Sequence, residues 1–326
     1  MVKKILITGI SGFIGRHFTR SIAAKKNLEI HALVRPQTAS SRLAEFDDQI
    51  VFHQIDLADI LALRAFLQEN TFDQIYHIGA LRGGRNFSRQ EFFDANVNAT
   101  EQIALSAKEK KSDLIYCSSV GVFGAIPLEL PANNSTRRQE DNFYHYTKIR
   151  SEAIIQNLVL YGLKAVIIRP AISYGAGDYG FPYTLVKLVA KKLMFLPDKP
   201  VMIHLTNVEY LASVFQYFTD HDLKPGTAYN VADIEPVYLK DLVDFINTEL
   251  RKKPYPHRKT IDYKYFAFGE KIARFLRNEL WISRFELISK SWYYDIQNTR
   301  KDLGIKPPQT IPTFKNVANW YKTGKE

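Results

Sequence analysis

Residues 4–15 read Lys4-Ile5-Leu6-Ile7-Thr8-Gly9-Ile10-Ser11-Gly12-Phe13-Ile14-Gly15. A short apolar run of β-branched and aliphatic residues passes directly into three glycines at three-residue spacing, and a helical pattern follows. That order predicts a strand, a tight turn and a helix. Glycines at 9, 12 and 15 let the backbone turn sharply and come close to a phosphate. The helix amino terminus behind them offers N–H groups and a partial positive charge. The stretch therefore predicts a cradle for a dinucleotide pyrophosphate, built from Thr8, Gly9, Ser11, Gly12, Phe13, Ile14 and Gly15. Phe13 and Ile14 are expected to anchor the helix to the sheet.

Outward from this stretch, strand-like runs alternate with helical ones. The strands are expected at Lys4–Thr8, Leu28–Val34, Ile50–Gln54, Gln74–Ile78, Asp113–Cys117 and Ala165–Arg169. The helices are expected at Phe13–Lys25, Ile60–Glu69, Gln90–Lys110 and Tyr144–Tyr161. Such alternation predicts parallel βαβ units, and so an α/β, doubly wound parallel sheet of Rossmann type. Ligands bind such sheets beyond the carboxyl ends of the strands. Thr8, Asp56, His77, Ser118 and Pro170 fall at those ends and are expected to converge. After Pro170 the alternation loosens. Residues 1–170 are read as the dinucleotide-binding domain, and 171–326 as a smaller C-terminal substrate-binding lobe, some of whose segments return to the sheet.

The second strand ends Leu33-Val34-Arg35-Pro36. An acidic residue near this point binds the ribose 2′-hydroxyl in NAD sites, and none is present. Arg35 instead suits a 2′-phosphate, with Ser40, Ser41 and Arg42 to help, which favours NADP over NAD. Asp56 can accept a hydrogen bond from an adenine amino group, and Asp59 is the better candidate to cap the helix from Ile60.

Tyr144 and Lys148, spaced YxxxK, lie on one helix face, one turn apart. A free tyrosine has a pKa of about 10, and a nearby cation stabilises its phenolate. Lys148 can supply that cation. Ser118 and Ser119, in Tyr116-Cys117-Ser118-Ser119-Val120-Gly121-Val122-Phe123-Gly124, offer a hydroxyl to hold a substrate oxygen.

With these elements in place the chain resembles the extended short-chain dehydrogenase/reductases, specifically the NAD-dependent epimerase/dehydratase group. The markers are the glycine stretch, Asp56-Leu57, His77-Ile78-Gly79-Ala80, Asn96-Val97-Asn98-Ala99-Thr100, Ser118-Ser119-x-x-Val122-Phe123-Gly124, Tyr144-xxx-Lys148, Arg169-Pro170-x-x-x-Tyr174-Gly175, His204 to Ala212 and Tyr229-Asn230-Val231. The resemblance implies that Tyr144 is the acid/base, Lys148 its pKa-lowering partner and Ser119 the orienting hydroxyl. It implies that Leu57, Ala80, Asn96, Ser118 and Pro170 join the cofactor site, and that the chain forms a homodimer through Gln90–Lys110 and Tyr144–Tyr161. Asn207 stands where the family's pattern has an aspartate, and Glu209 departs from it as well.

The dehydratase branch carries Thr-Asp-Glu where this chain has Ser119-Val120-Gly121. Water elimination needs an acid and a base there, so a 4,6-dehydratase is not expected. Hydride transfer on a nucleotide-diphosphate sugar remains, as a 4-epimerase or a 4-keto reductase. The alternative is an NADPH-dependent reductase or dehydrogenase of a bulky ketone or hydroxysteroid-like alcohol. A non-catalytic dinucleotide sensor on the same fold is a third reading. Arg82, Arg85 and Lys187 are candidate contacts to an anionic substrate.

Composition bounds these readings. The 326 residues carry a net charge of +10, which attracts anions such as nucleotide diphosphates. No zinc-finger spacing or aromatic RNA motif occurs, so nucleic acid is not expected as a partner. The single cysteine, Cys117, excludes an internal disulfide. No signal-peptide core precedes the first strand and no apolar run is long enough to span a bilayer, so a cytoplasmic protein is expected. No metal site is expected. Residues Tyr263 to Leu287 interleave aromatics with Lys and Arg. That pattern fits a packed lobe helix, a cover for an apolar substrate, or a segment lying on a membrane surface.

Overall fold

The central apolar runs form strands because they are buried on both faces, as parallel sheets require. In the computed structural model, which describes residues 2–46, 48–82 and 87–324, the strands are β1 (Lys3–Thr8), β2 (Leu28–Val34), β3 (Ile50–Gln54), β4 (Gln74–His77), β5 (Asp113–Cys117), β6 (Ala165–Pro170) and β7 (Ala228–Val231). They make one seven-stranded sheet in the order β7-β6-β5-β4-β1-β2-β3. The β1–β2, β1–β4, β2–β3, β4–β5 and β5–β6 pairings are all parallel. This is the doubly wound, Rossmann-like sheet that the sequence predicts, and Ile5, Leu6 and Ile7 are fully enclosed at its centre.

The chain divides into two units. The first comprises Met1–Val122, Glu140–Pro170 and Leu211–Tyr229. Its helices include α1 (Phe13–Ile22), α2 (Ile60–Glu69), α3 (Arg89–Phe93), α4 (Ala99–Lys110) and α5 (Phe143–Leu160). On one sheet face Leu63, Phe66 and Leu67 of α2 and Ile103, Ala104 and Ala107 of α4 pack on Leu6, Ile75 and Leu114. On the other, Phe18 of α1 meets Tyr76 at 4.6 Å and Phe215 at 5.6 Å between ring centroids. Phe13 and Ile14, expected as anchors of α1, are only half-buried, and Phe18 and Ile22 do that work. Helical phase explains the change: the first turn of α1 faces the strand ends, and only its second and third turns reach the sheet.

Asp59 caps α2 by accepting from the Ala62 N–H at 3.0 Å, as the sequence suggests. The single helix read over Gln90–Lys110 is instead α3 and α4 joined by a π-turn, Asp94–Asn98.

The second unit comprises Phe123–Gln139, Ala171–Tyr210 and Asn230–Glu326. Its helices include α6 (Phe181–Ala190), α8 (Leu239–Arg251), α9 (Tyr263–Phe275) and α10 (Glu279–Ser289), and α7 (Val208–Asp220) begins in it. A buried polar hub organises part of this unit. Asp233 accepts from Tyr174 Oη and Thr310 Oγ1, each at 2.6 Å, and from the Asn207 N–H at 2.8 Å. Burial pushes the Asp233 pKa up to about 6, against the pull of these hydrogen bonds. Asn207, despite replacing an aspartate, still caps α7: its Oδ1 accepts from the N–H groups of Glu209 and Tyr210. Among the described residues no helix is long and apolar enough to cross a membrane.

Candidate active site

The glycine turn is held against the end of β4 by contacts that leave no room for side chains. Gly9 has φ +81°, and a β-carbon on it would lie 2.6 Å from the Gly79 backbone nitrogen. A β-carbon on Gly15 would run into the Gly9 carbonyl. No side chain caps α1 and no acid occupies its first turn, so its N–H dipoles face outward from the turn. This cradle fits a dinucleotide pyrophosphate.

A hydrogen-bond relay fixes the turn relative to β4 and α4. The Gly79 N–H donates to Thr8 Oγ1 (2.9 Å), whose hydroxyl meets His77 Nδ1 (2.8 Å). His77 Nε2 meets Thr100 Oγ1 (2.9 Å), and the Thr100 hydroxyl donates to the Asn96 carbonyl (2.6 Å). Thr100 has spent its proton on Asn96, so it accepts from Nε2–H. His77 Nδ1 then accepts from Thr8. Only the neutral imidazole satisfies both partners. Burial, helped by the positive charge of Lys148, lowers the His77 pKa to about 3.

Asn96 acts on the loop after β4. Its Oδ1 accepts from the Leu81 N–H at 2.7 Å, and its Nδ2 donates to the Leu81 carbonyl at 2.8 Å and to Thr147 Oγ1 at 3.1 Å. The π-turn places this side chain, which thereby ties the Ala80–Leu81 backbone to α5. Asp56 accepts from the Ala58 N–H through Oδ1 at 3.0 Å. Leu57 reaches across to Gly79, whose added β-carbon would sit 2.9 Å from its Cδ1. Arg35 is half-buried just past β2.

Ser118 and Ser119 part company at the end of β5. The Ser118 hydroxyl donates to Glu152 Oε1 at 2.6 Å. The same carboxylate accepts from Arg169 Nε at 2.7 Å and Nη2 at 2.6 Å, a buried bidentate pair. Ser118 is thus committed to the frame. Ser119 Oγ accepts from the Gly121 N–H at 3.0 Å, which leaves its own proton to donate.

Asn142 starts α5, its Oδ1 accepting from the His145 N–H at 2.9 Å. Lys148, one turn further on, is buried. Its Nζ donates to the Cys117 carbonyl at 2.7 Å and Tyr116 Oη at 3.2 Å, and lies 6.0 Å from the Tyr144 ring centroid. Burial holds the Tyr144 pKa above its ordinary value, while Lys148 and, more weakly, Arg82 pull it down. The sequence anticipates the lysine's direction but not that desolvation outweighs it. Tyr146 stacks on Phe143 at 5.6 Å and is a packing residue. Burial raises the Cys117 thiol to about 11, which leaves it inert.

His145 is the residue that sequence reasoning missed. A β-carbon on Gly121 would lie 2.7 Å from both its Cδ2 and its Nε2, and 3.2 Å from Ser119 Oγ. The imidazole therefore stands beside Ser119, in space that only a glycine at 121 leaves open. Asn142 has given its oxygen to the helix cap, so its Nδ2 faces His145 Nδ1 at 3.3 Å. Nδ1 accepts and the proton rests on Nε2. Burial lowers the His145 pKa, opposed by Asp141. A histidine directly after the YxxxK tyrosine, together with glycine at 121, was the available signal.

The remaining predicted positions are dispersed. Ala80 is half-buried and Pro170 buried at the ends of their strands, in the first unit with Ser119, Tyr144 and Lys148. Arg82 is exposed near Tyr144. Arg85 lies outside the described residues. Lys187 is exposed on α6, in the second unit. Among the described residues no cluster of His, Cys, Asp or Glu could hold a metal.

UDP-glucose 4-epimerase of Vibrio cholerae is 24% identical over 329 residues, covering 98% of this chain and 95% of that protein. Sterol demethylase protein B of Methylococcus capsulatus is 28% identical over 335 residues, covering 97% and 98%. The structure of the Bordetella bronchiseptica enzyme WbmH in complex with NAD+ superposes with a TM-score of 0.76 at 18% identity, covering 99% of both chains, a likeness of fold. The pattern of the NAD dependent epimerase/dehydratase family matches residues 5–232. The glycine cradle, the tyrosine–lysine pair and this match lead to one conclusion: the chain belongs to the NAD dependent epimerase/dehydratase family.

Proposed function

We propose that the chain transfers hydride on a nucleotide-diphosphate sugar, as a 4-epimerase or 4-keto reductase and not as a 4,6-dehydratase. The observation that carries this reading is the division of labour at the end of β5. Ser118 is held by Glu152, Ser119 keeps a proton to donate, and Val120 and Gly121, where the dehydratase branch carries Asp and Glu, have no carboxyl group, the His145 ring lying against Gly121 instead. Within this reading Ser119 orients the substrate oxygen and Tyr144 exchanges its proton. Lys148 and a bound oxidised nicotinamide add the positive charge that offsets the burial of the phenol. A nicotinamide dinucleotide supplies the hydride acceptor and donor. With that group bound, Tyr144 would take the O–H proton as the carbinol is oxidised and give it back on reduction, which in an epimerase must reach the opposite face of the sugar and in a reductase is the only step. The similarity to UDP-glucose 4-epimerase supports this class of substrate.

NADP is favoured over NAD, because Arg35 follows β2 without an acid. That feature, with the similarity to sterol demethylase protein B, supports the second reading, a reductase or dehydrogenase of a bulky ketone or hydroxysteroid-like alcohol. Arg82 is proposed to contact an anionic group of the substrate, and a homodimer is proposed through the faces of α4 and α5. The test offers UDP-sugars and bulky ketones or alcohols with each dinucleotide and separates the products by chromatography. Conversion of a UDP-sugar at C4 supports the first reading. Turnover of ketones alone supports the second, and no turnover of either defeats both.

A further inference from the structure

The α9–α10 hairpin leaves a large apolar strip in solvent although its buried side, with Phe266 and Ala273 of α9, is already filled. A salt-bridge network ties the two helices together: Arg274 donates to Glu270 (2.9 Å) and Glu286 (2.6 Å), and Lys290 donates to the same two carboxylates (3.0 and 3.2 Å). Glu270 and Glu286 are buried, and the two helices close tightly where Gly269 meets the Phe285 ring. The outer side is apolar. Tyr265 (69% exposed), Phe268 (64%), Ile272 (44%), Phe275 (87%) and Leu276 (66%) follow one another at helical spacing along α9, and Trp281 (49%) continues the strip on α10. Large apolar side chains gathered outward over so short a stretch exceed the scattered exposure normal for a surface. Buried Phe266 and Ala273, with the paired Glu270 and Glu286, already fill the hairpin's inner side, so the strip is a second apolar face and not the core face turned out.

The charges beside the strip select the partner. Exposed Lys264, Lys271, Arg277 and Arg284 flank it, and the Arg284 guanidinium lies over the Trp281 ring at 5.1 Å. Aromatic and aliphatic side chains bordered by Lys and Arg are what an anionic bilayer surface takes up: the apolar face enters the boundary of head groups and acyl chains while the cations meet lipid phosphates. The whole chain, at +10, carries charge of the same sign. We propose that the α9–α10 hairpin docks this protein on an anionic membrane surface. The association is peripheral, since no described helix is suited to span.

The structure supplies its own reporter. Of the three tryptophans, Trp292 and Trp320 are buried and Trp281 is half exposed. The full-length protein is mixed with vesicles of phosphatidylcholine alone, or of phosphatidylcholine with phosphatidylglycerol, and followed by tryptophan emission and co-sedimentation. The expected result is a blue shift and sedimentation with the anionic vesicles that weaken with added salt. Phe268→Glu/Phe275→Glu, with far-UV circular dichroism to verify folding, should lower partition about a hundredfold or more. Lys271→Glu and Arg284→Glu should each lower it about fivefold or more. No shift and no sedimentation of the unaltered protein overturns the proposal, as does equal binding to neutral vesicles or undiminished binding by the Phe268→Glu/Phe275→Glu protein. A self-associated protein that Phe268→Glu/Phe275→Glu converts to a smaller species, with no lipid binding by either, overturns it in favour of a second copy of the chain as the occupant.

Discussion

Replacement of Glu152 by alanine is expected to cost more stability than any ordinary core truncation in the first unit. Its carboxylate holds three donors: Ser118 Oγ and two nitrogens of Arg169, at 2.6 to 2.7 Å. Both side chains of the ion pair are almost wholly enclosed, 3% exposed for Arg169 and 8% for Glu152. Alanine leaves a guanidinium without its counter-ion in a site that water does not reach freely, a loss of about 3–5 kcal/mol. The orphaned Ser118 hydroxyl adds about 1 kcal/mol. The sum, about 4–6 kcal/mol, approaches the whole stability of many domains. Removing both charges is a different matter. Glu152→Met with Arg169→Met gives up the pair but also its desolvation cost, and should return to within about 2 kcal/mol of the parent. All three tryptophans lie in the second unit, so urea unfolding is best followed by far-UV circular dichroism and by hydrogen exchange of β5 and β6 amides. A Glu152→Ala protein within about 1 kcal/mol of the parent, or a double variant no more stable than the single, would refute the reasoning.

Other expectations follow from the same geometry. Arg35→Ser should weaken NADP binding about tenfold or more and leave NAD binding nearly unchanged, measured by calorimetric titration; equal losses for both would remove the 2′-phosphate role. His77 has a folded pKa of about 3 against about 6.5 unfolded. Below pH 6.5 the unfolded chain therefore takes up a proton that the folded chain refuses. Stability is unaffected by this group above that pH and falls by about 1.4 kcal/mol per pH unit below it, or about 2 kcal/mol by pH 5. The urea midpoint should drop less between pH 7.5 and 5 in His77→Gln than in the parent, and an identical drop would contradict the relay. Gly121→Ala should push the imidazole of His145 away from Ser119 and lower turnover while dinucleotide affinity holds, and unchanged turnover would show that the ring's position is indifferent.

The sheet was legible in the sequence because burial on both faces leaves a local mark: β1, β5 and β6 need little beyond an apolar run bounded by turn residues. The glycine cradle and the Tyr144–Lys148 spacing were legible for a similar reason, since their geometry is set within a few residues. What escaped depends on partners far along the chain. The π-turn at Asp94–Asn98 interrupts a good helical pattern so that Asn96 can pair with Leu81. The preference for Ser119 over Ser118 came from the resemblance alone, and its physical cause, the hold of Glu152 on Ser118, is announced by nothing near the serines. His145 owes its place to Gly121, and each looks unremarked alone. The short strands of the second unit, such as Met202–Ile203, carry too few residues for a period. Some segments after residue 170 were expected to return to the sheet, but which ones was not legible: Leu211–Tyr229 lies in the first unit, with contacts such as Phe18 with Phe215.

Tyr144→Phe tests the proposed chemistry most directly, because it removes one oxygen and little else. Parent and variant are incubated with dinucleotide and the substrate that the panel identifies, with product formation and dinucleotide affinity measured side by side. The account predicts a fall in kcat of about a hundredfold or more with dinucleotide affinity nearly unchanged. Turnover undiminished in the variant would contradict it and move the acid/base to another group.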